Sequence, residues 1–245
     1  MKYILIGKNI KKTYGENPVL DNVDVKVEKG EFVVIMGLSG CGKSTLLFAL
    51  SGTDRIDAGT VEFMGENLSN FSDDRLADVR RTKMGFIFQQ PTMLRNLNML
   101  DNIIVSSLHG ARRNRKEIIA VAKDLLQRTG IADLEKRSIH EVSGGQLQRV
   151  GICRALMASP EVIFADEPTG ALNSKTSAEI LDLLVNINEE GTTIVLVTHD
   201  VNVAARANRV LFMDDGKIKS ELKLSNNQQE TNIKLINSQM NQFSI

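Results

Sequence analysis

Nine consecutive residues dominate what this chain can become: Gly37, Leu38, Ser39, Gly40, Cys41, Gly42, Lys43, Ser44 and Thr45 fit the pattern G-x-x-x-x-G-K-[ST] and the residue after it. The unbroken apolar run Phe32 to Met36 precedes them and the helix-compatible LLFAL follows, so a buried strand, a tight loop and a helix must succeed one another. The glycines allow successive backbone N–H groups to turn inward as an anion nest. The helix starting near Lys43 adds the positive end of its dipole. Lys43 is expected to reach the terminal phosphates of a nucleotide, and Ser44 to ligate Mg²⁺.

A second element needs this one to be interpretable. Val162 to Ala165 is another apolar strand, and it ends in Asp166 and Glu167. Two carboxylates at a strand's C-terminal mouth stand where open α/β sheets bind ligands. Taken alone, such a pair is usually a solvated turn. Beside a phosphate loop, Asp166 is expected to hold Mg²⁺, and Glu167 to orient or deprotonate an attacking water.

Periodicity organises the rest. Short β-branched runs at Tyr3 to Asn9, Val23 to Val27, Glu31 to Met36 and Thr60 to Phe63 open the chain. From about residue 92 to 159 the pattern turns helical, with Ile118, Ile119, Ala122, Leu125 and Leu126 on one face. Strand patterns return from Glu161 to Ile218, including Thr192 to Thr198, around a helix whose apolar face holds Ile180, Leu181, Leu183, Leu184 and Ile187. A polar tail, 225–245, carries Ile233, Ile236, Met240 and Phe243 at helical spacing. Both a packed helix and a frayed terminus are compatible with it.

The stretch VSGGQLQRVGICRALMASPEVIFADEPTG, Val142 to Gly170, closely resembles the signature and following acidic strand of ABC transporter ATPases. The resemblance extends over roughly Tyr3 to Lys219. It implies an α/β fold: a P-loop NTPase (RecA-like) core at about 1–91 and 160–220, an N-terminal antiparallel β subdomain, and a helical subdomain inserted at about 92–159. It implies that Ser143, Gly144, Gly145 and Gln146 of one copy close over the ATP held by the phosphate loop of a second copy, head to tail. Tyr14, in KTYGENPVL, matches the family's adenine-stacking aromatic. Gln89, with Gln90 as its neighbour and alternative, matches the glutamine loop that links Mg²⁺ and the attacking water to the helical part. His199, in THD, matches the histidine that contacts the γ-phosphate. His109 and His140 match nothing.

Two departures stand out. Val142 replaces the usual Leu before SGGQ, a change of apolar shape only. After the acidic pair the family usually reads S-A-L-D, whereas this chain has Gly170, Ala171, Leu172 and Asn173. Asn keeps hydrogen-bonding capacity and loses the charge, so coupling between two ATP sites is expected to differ.

Bulk properties then limit the partners. Thirty basic and thirty acidic residues cancel, so no overall positive field points to nucleic acid or to an anionic membrane surface. Apolar runs of four or five residues fall far short of the roughly 20 that span a bilayer. The opening MKYILIGKNIKKTYG does not resemble a secretory signal. The expected place is therefore cytoplasmic, peripheral on the inner face of the cell membrane, held there by a permease. Cys41 and Cys153 suggest neither a metal site nor a disulfide. GLSGCGKSTLL, the FSDDRLADVRRTKMGFIFQQPTMLRNLNMLDNI stretch and PTGALNSKT look most like the branch serving macrolide export, lipoprotein release and antimicrobial-peptide resistance or export. The cargo is left open by the sequence, and a regulatory or scaffold role, as in cell division, is the competing reading. The basic cluster Arg112, Arg113, Arg115 and Lys116 reads best as an exposed helix start. A GTPase would need N-K-x-D, which the chain lacks.

Overall fold

The computed structural model describes residues 2–108, 114–225 and 228–243. Arg112, Arg113 and His109 therefore lie outside the described residues, as does the side chain of Phe243. In chain order the elements begin with β1 (Tyr3–Tyr14), β2 (Asn17–Glu28), β3 (Phe32–Met36), α1 (Lys43–Leu50), β4 (Ala58–Phe63) and β5 (Glu66–Asn67). There follow α2 (Asp73–Lys83), β6 (Met84–Phe88), α3 (Met99–Leu108), α4 (Arg115–Arg128), α5 (Gly144–Leu156) and β7 (Val162–Asp166). The chain continues through α6 (Ser174–Glu189), β8 (Thr193–Thr198), α7 (Val201–Ala204), β9 (Arg209–Asp214), β10 (Lys217–Lys223) and α8 (Gln229–Phe243).

Two compact units emerge, Met1–Ala77 with Ile187–Ile245, and Asp78–Asn186. In the first, β2, β1, β4 and β5 form an antiparallel sheet in that order. A second set of strands runs through β3, which pairs in parallel with both β8 and β9, while β10 pairs antiparallel with β9. All five β3 residues are buried, as are all six of β8. Strands covered on both faces read as continuous apolar runs for this reason, and each fully buried Val or Ile contributes about 1.5–3 kcal/mol.

Strand β1 runs five residues past the Asn9 at which its sequence pattern breaks. Asn9 has a left-handed backbone (φ 49°), and its N–H donates to Asp24 Oδ1 at 2.7 Å. The pairing with β2 shifts register between Gly7 and Ile10, so alternation is lost there and resumes afterwards.

The second unit holds the strands β6 and β7 as well as the helices α3, α4 and α5. Strands β6 and β7 pair in parallel and α5 packs on β6. Met99, Ile103, Leu125, Leu126, Val150 and Cys153 share one core between α3, α4 and α5. Cys153 is fully buried against the Thr129 hydroxyl at 3.2 Å, and burial pushes its thiol up to about 11. It is a core residue. Arg115 and Lys116 are exposed on the first turn of α4, behind an Asn114–Glu117 capping box.

In the first unit the polar tail folds as α8 and packs on α7. Ile236 is fully buried, Ile233 and Met240 are half-buried, and buried Asn232 donates from Nδ2 to the carbonyls of Ala205 and Ser225 at 3.1 and 3.0 Å.

Candidate functional site: a phosphate loop and an acidic strand end

Parallel pairing, more than any side-chain contact, brings the chemistry together within each unit. In the first, Met36 of β3 lies beside Thr198 of β8. The next residues, Gly37 and His199, therefore leave the same C-terminal edge side by side. His199 is exposed there, between the strand and the helix α7 that Asp200 caps by accepting from Asn202 N–H at 2.8 Å.

The loop between β3 and α1 tolerates no side chain at two points. A Cβ on Gly37 would lie 2.1 Å from the Met213 carbonyl oxygen and 2.7 Å from Cys41 Sγ. Gly42 has φ 101° and would set a Cβ 2.8 Å from the Val19 carbonyl oxygen. Lys43, only 7% exposed, donates its ammonium to the carbonyls of Gly37 and Leu38 at 3.0 and 2.8 Å, so its charge is held at the mouth of the loop. Leu38, Ser39 and Gly40 are exposed, and Ser44 and Thr45 are half-buried on the first turn of α1. Cys41 is buried, and desolvation pushes its thiol up, which keeps it protonated and weakly nucleophilic.

Tyr14, at the end of β1, is 47% exposed. Its hydroxyl donates to Asp54, a residue that sequence reasoning did not single out. That bond is the main reason the phenol is raised above its ordinary value.

In the second unit the same register logic applies. Phe88 of β6 pairs with Asp166 of β7, which sets Gln89 beside Glu167. The side chains agree: the point a Cβ would occupy on Gly170 is 2.9 Å from Gln89 Nε2 and 3.2 Å from Glu167 Oε2. Gly170 thus leaves room for the amide and the carboxylate to converge. Glu167 also has a left-handed backbone (φ 44°), a strained conformation for a side-chain-bearing residue. Phe86 stacks on Phe164 with ring centroids 5.7 Å apart, stiffening the two strands below.

Two residues missed in the sequence hold the segment around Gln89. Gln148 of α5, 1% exposed, donates to the Phe88 carbonyl at 3.0 Å. Asn102 of α3, fully buried, accepts from Leu94 N–H at 2.7 Å and donates to the carbonyls of Leu94, Leu97 and Asn98. A polar residue inside an apolar helix gives no sign of its partner until the fold supplies one.

The four residues Ser143 to Gln146 start α5. Ser143 Oγ accepts from Gln146 N–H at 3.3 Å, and Gln146 Oε1 accepts from Ser143 N–H at 2.8 Å, a reciprocal capping box. The two glycines differ. A Cβ on Gly145 would fall 2.3 Å from Thr176 Cγ2, whereas one on Gly144 would meet only Leu172 Cδ2 at 3.8 Å. Packing within the chain therefore accounts for Gly145 and leaves Gly144 unexplained. An outside group that must approach the helix N-terminus closely would explain it. Asn173 caps the next helix: its Oδ1 accepts from Thr176 N–H at 3.0 Å, and its carbonyl from Ser177 N–H at 2.9 Å.

Comparison with known proteins identifies the family. The family model described as ABC transporter matches residues 20–170. The bacitracin export ATP-binding protein BceA of Halalkalibacterium halodurans is 40% identical over 93% of this chain and 92% of its own length. The uncharacterized ABC transporter ATP-binding protein YknY of Bacillus subtilis is 42% identical, covering 86% and 93%. The macrolide export ATP-binding/permease protein MacB of Mannheimia succiniciproducens is 41% identical over 86% of this chain but only 33% of that one, so the chain spans about a third of such relatives. Among solved structures, a dimeric ATP-binding cassette in a post-hydrolysis state, bound to ADP and Pi, has 38% identity and a TM-score of 0.84, covering 90% of this chain and 99% of that one. The family model covers more than half of the chain and two of these relatives match it over nearly their whole length, so the chain belongs to the ABC transporter family.

Proposed function

We propose that two copies of this chain bind ATP head to tail, hydrolyse it, and drive a separate membrane permease that exports peptide, lipid or lipoprotein cargo, an antimicrobial peptide being the favoured class. The observation that carries the catalytic part is the β6–β7 register, which ends with Gln89 and Glu167 adjacent. The cargo class follows the near full-length similarity to a bacitracin export ATP-binding protein. No helix among the described residues is long and apolar enough to cross a membrane. The chain would then sit at the cytoplasmic face through that permease.

The backbone nest from Gly37 to Thr45 and the Lys43 ammonium bind the β- and γ-phosphates. Ser143, Gly144, Gly145 and Gln146 of the second copy cover the γ-phosphate, so each site is complete only on closure. Ser44, Gln89 and Asp166 offer a hydroxyl, an amide oxygen and a carboxylate. These are hard oxygen donors, suited to Mg²⁺ shared with substrate phosphates. When bound, that ion supplies charge neutralisation at the phosphate oxygens. Glu167 accepts a proton from the water whose oxygen forms a bond to the γ-phosphorus, as the bond to the bridging oxygen of ADP breaks. His199 holds a γ-phosphate oxygen and helps orient the water. Tyr14 stacks on the adenine.

Glu167→Gln tests the assignment of the base. It is expected to bind ATP, accumulate as a nucleotide-bound dimer by size-exclusion chromatography, and lose at least about 10²-fold in phosphate release. Hydrolysis at the wild-type rate would overturn the role of Glu167. Isolation of the chain from detergent extracts with a substrate-moving permease supports export, whereas isolation with division proteins supports a regulatory scaffold.

A further inference from the structure

Tyr14 is half exposed at the end of a strand, where a phenol ring would ordinarily swing freely. This ring is held at several points, one of them the Thr45 side chain on the first turn of α1. Its hydroxyl donates to Asp54 Oδ2, and one of its faces is covered by the Lys12 ammonium, 5.0 Å from the ring centroid. Lys12 is itself 9% exposed, and its charge is satisfied by Asp54 Oδ1 at 2.7 Å and the Arg55 carbonyl at 2.6 Å. A buried ammonium so held costs too much to move for the ring to carry it along. Burial pushes the Asp54 carboxyl up, but hydrogen bonds from Lys12 and Tyr14 outweigh it and hold the group below its usual value, ionised.

Asp54 is fixed in turn to the helix that begins at the phosphate loop. Its N–H, like that of Thr53, donates to the Phe48 carbonyl in the last turn of α1, at 3.1 and 3.0 Å. Helix α1 has eight residues, about 12 Å of rise, with the phosphate-binding Lys43 at its start. One rigid element therefore carries the phosphate nest at one end and the anchor of the aromatic ring at the other.

We propose that Asp54 and Lys12 are positioning residues that fix the Tyr14 ring with a single face available, so that the spacing between base platform and phosphate loop is set by α1. The inference rests on the reading of Tyr14 as the adenine-stacking residue. With a cation behind the ring, the stacking face is electron-poor and prefers the large, electron-rich surface of a purine. Asp54 thereby contributes to nucleobase selection without touching the nucleotide.

The test is binding of ATP and of inorganic tripolyphosphate, which lacks a base, to the full chain and to Asp54→Asn, Lys12→Met, Tyr14→Ala and the Asp54→Asn/Tyr14→Ala double variant. Thermal melting checks that each is folded. Asp54→Asn is isosteric, and Lys12→Met keeps the aliphatic stem. In Asp54→Asn and Lys12→Met the Kd for ATP is expected to rise about three- to tenfold, the size of one lost aromatic stacking geometry. The Kd for tripolyphosphate is expected to stay within twofold (about 0.4 kcal/mol or less). The double variant is expected to be no worse than Tyr14→Ala, because both act through one ring. If Tyr14→Ala weakens ATP while Asp54→Asn and Lys12→Met do not, the positioning role is overturned and the stacking role stands. If Tyr14→Ala leaves ATP binding unchanged, the stacking role itself fails. Equal weakening of ATP and tripolyphosphate by Asp54→Asn means general loosening of the loop and also overturns the proposal.

Discussion

Asn173 shows how one atom's role changes the meaning of a departure from family pattern. By sequence, Asn in place of Asp suggests a lost charge and weaker or differently gated communication between sites. In the structure Asn173 Oδ1 caps α6 through the Thr176 N–H, a task Asn and Asp perform about equally well. The local fold thus has no need of the carboxylate, and what the substitution alters must lie in its effect on a partner. Asn173→Asp is expected to keep the per-site hydrolysis rate and to gain about 0.3–1 kcal/mol from a negative charge at the N-terminus of α6. Its Hill coefficient for ATP is expected to change. Steady-state kinetics over an ATP titration checks this, and unchanged cooperativity would assign the position to capping alone. The contrast with Asp54 is instructive: that residue carried no visible signal, because its importance lies in Tyr14 and Lys12, forty or more positions away.

At the scale of elements, what could be read from sequence was whatever depends on neighbours along the chain. The strand Phe32–Met36, the glycine loop and the start of α1 at Lys43 are all local, and the structure reproduces them to the residue. The far half of β1 was not legible, since the bulge at Asn9 breaks the two-residue alternation that marks a strand. Helix α8 was legible only as a spacing of apolar residues. Its packing depends on α7 and on the Asn232 bonds to Ala205 and Ser225. For the start of α5, sequence marked SGGQ as one unit, while the structure separates its parts. Gly145→Ala forces a Cβ onto Thr176 and is expected to destabilise the chain by about 1–3 kcal/mol in urea titrations. Gly144→Ala is expected to fall within about 0.5 kcal/mol of the parent in stability. It is expected to slow ATP hydrolysis at least tenfold. Equal stabilities for the two variants would refute the packing argument.

For the whole molecule, the decisive property is that the phosphate loop and the glycine pair are proposed to serve ATP in different copies. Hydrolysis should then be second order in chain at low concentration. The initial rate, measured by phosphate release without permease, is expected to rise more steeply than the first power of protein concentration and to become linear once the dimer is saturated. A rate proportional to concentration throughout, from a chain shown to be monomeric, would remove the shared site. The chain carries no net charge, so two copies do not repel one another as a whole, and the dimer is expected to depend on nucleotide to persist.

Register pairing has a consequence for how such a protein can drift over generations. Gly37 and His199, and likewise Gln89 and Glu167, are neighbours because Met36 and Thr198, and Phe88 and Asp166, end their strands in step. Main-chain hydrogen bonds set that alignment, and they are indifferent to whether a strand position is Val, Ile or Leu. The buried strands can therefore exchange one aliphatic residue for another and leave these neighbours where they are. A single inserted or deleted residue in any of these four strands would instead displace one of these neighbours by a whole step. Lineages descended from this chain should consequently tolerate rewriting of the core letters far better than any change in their count.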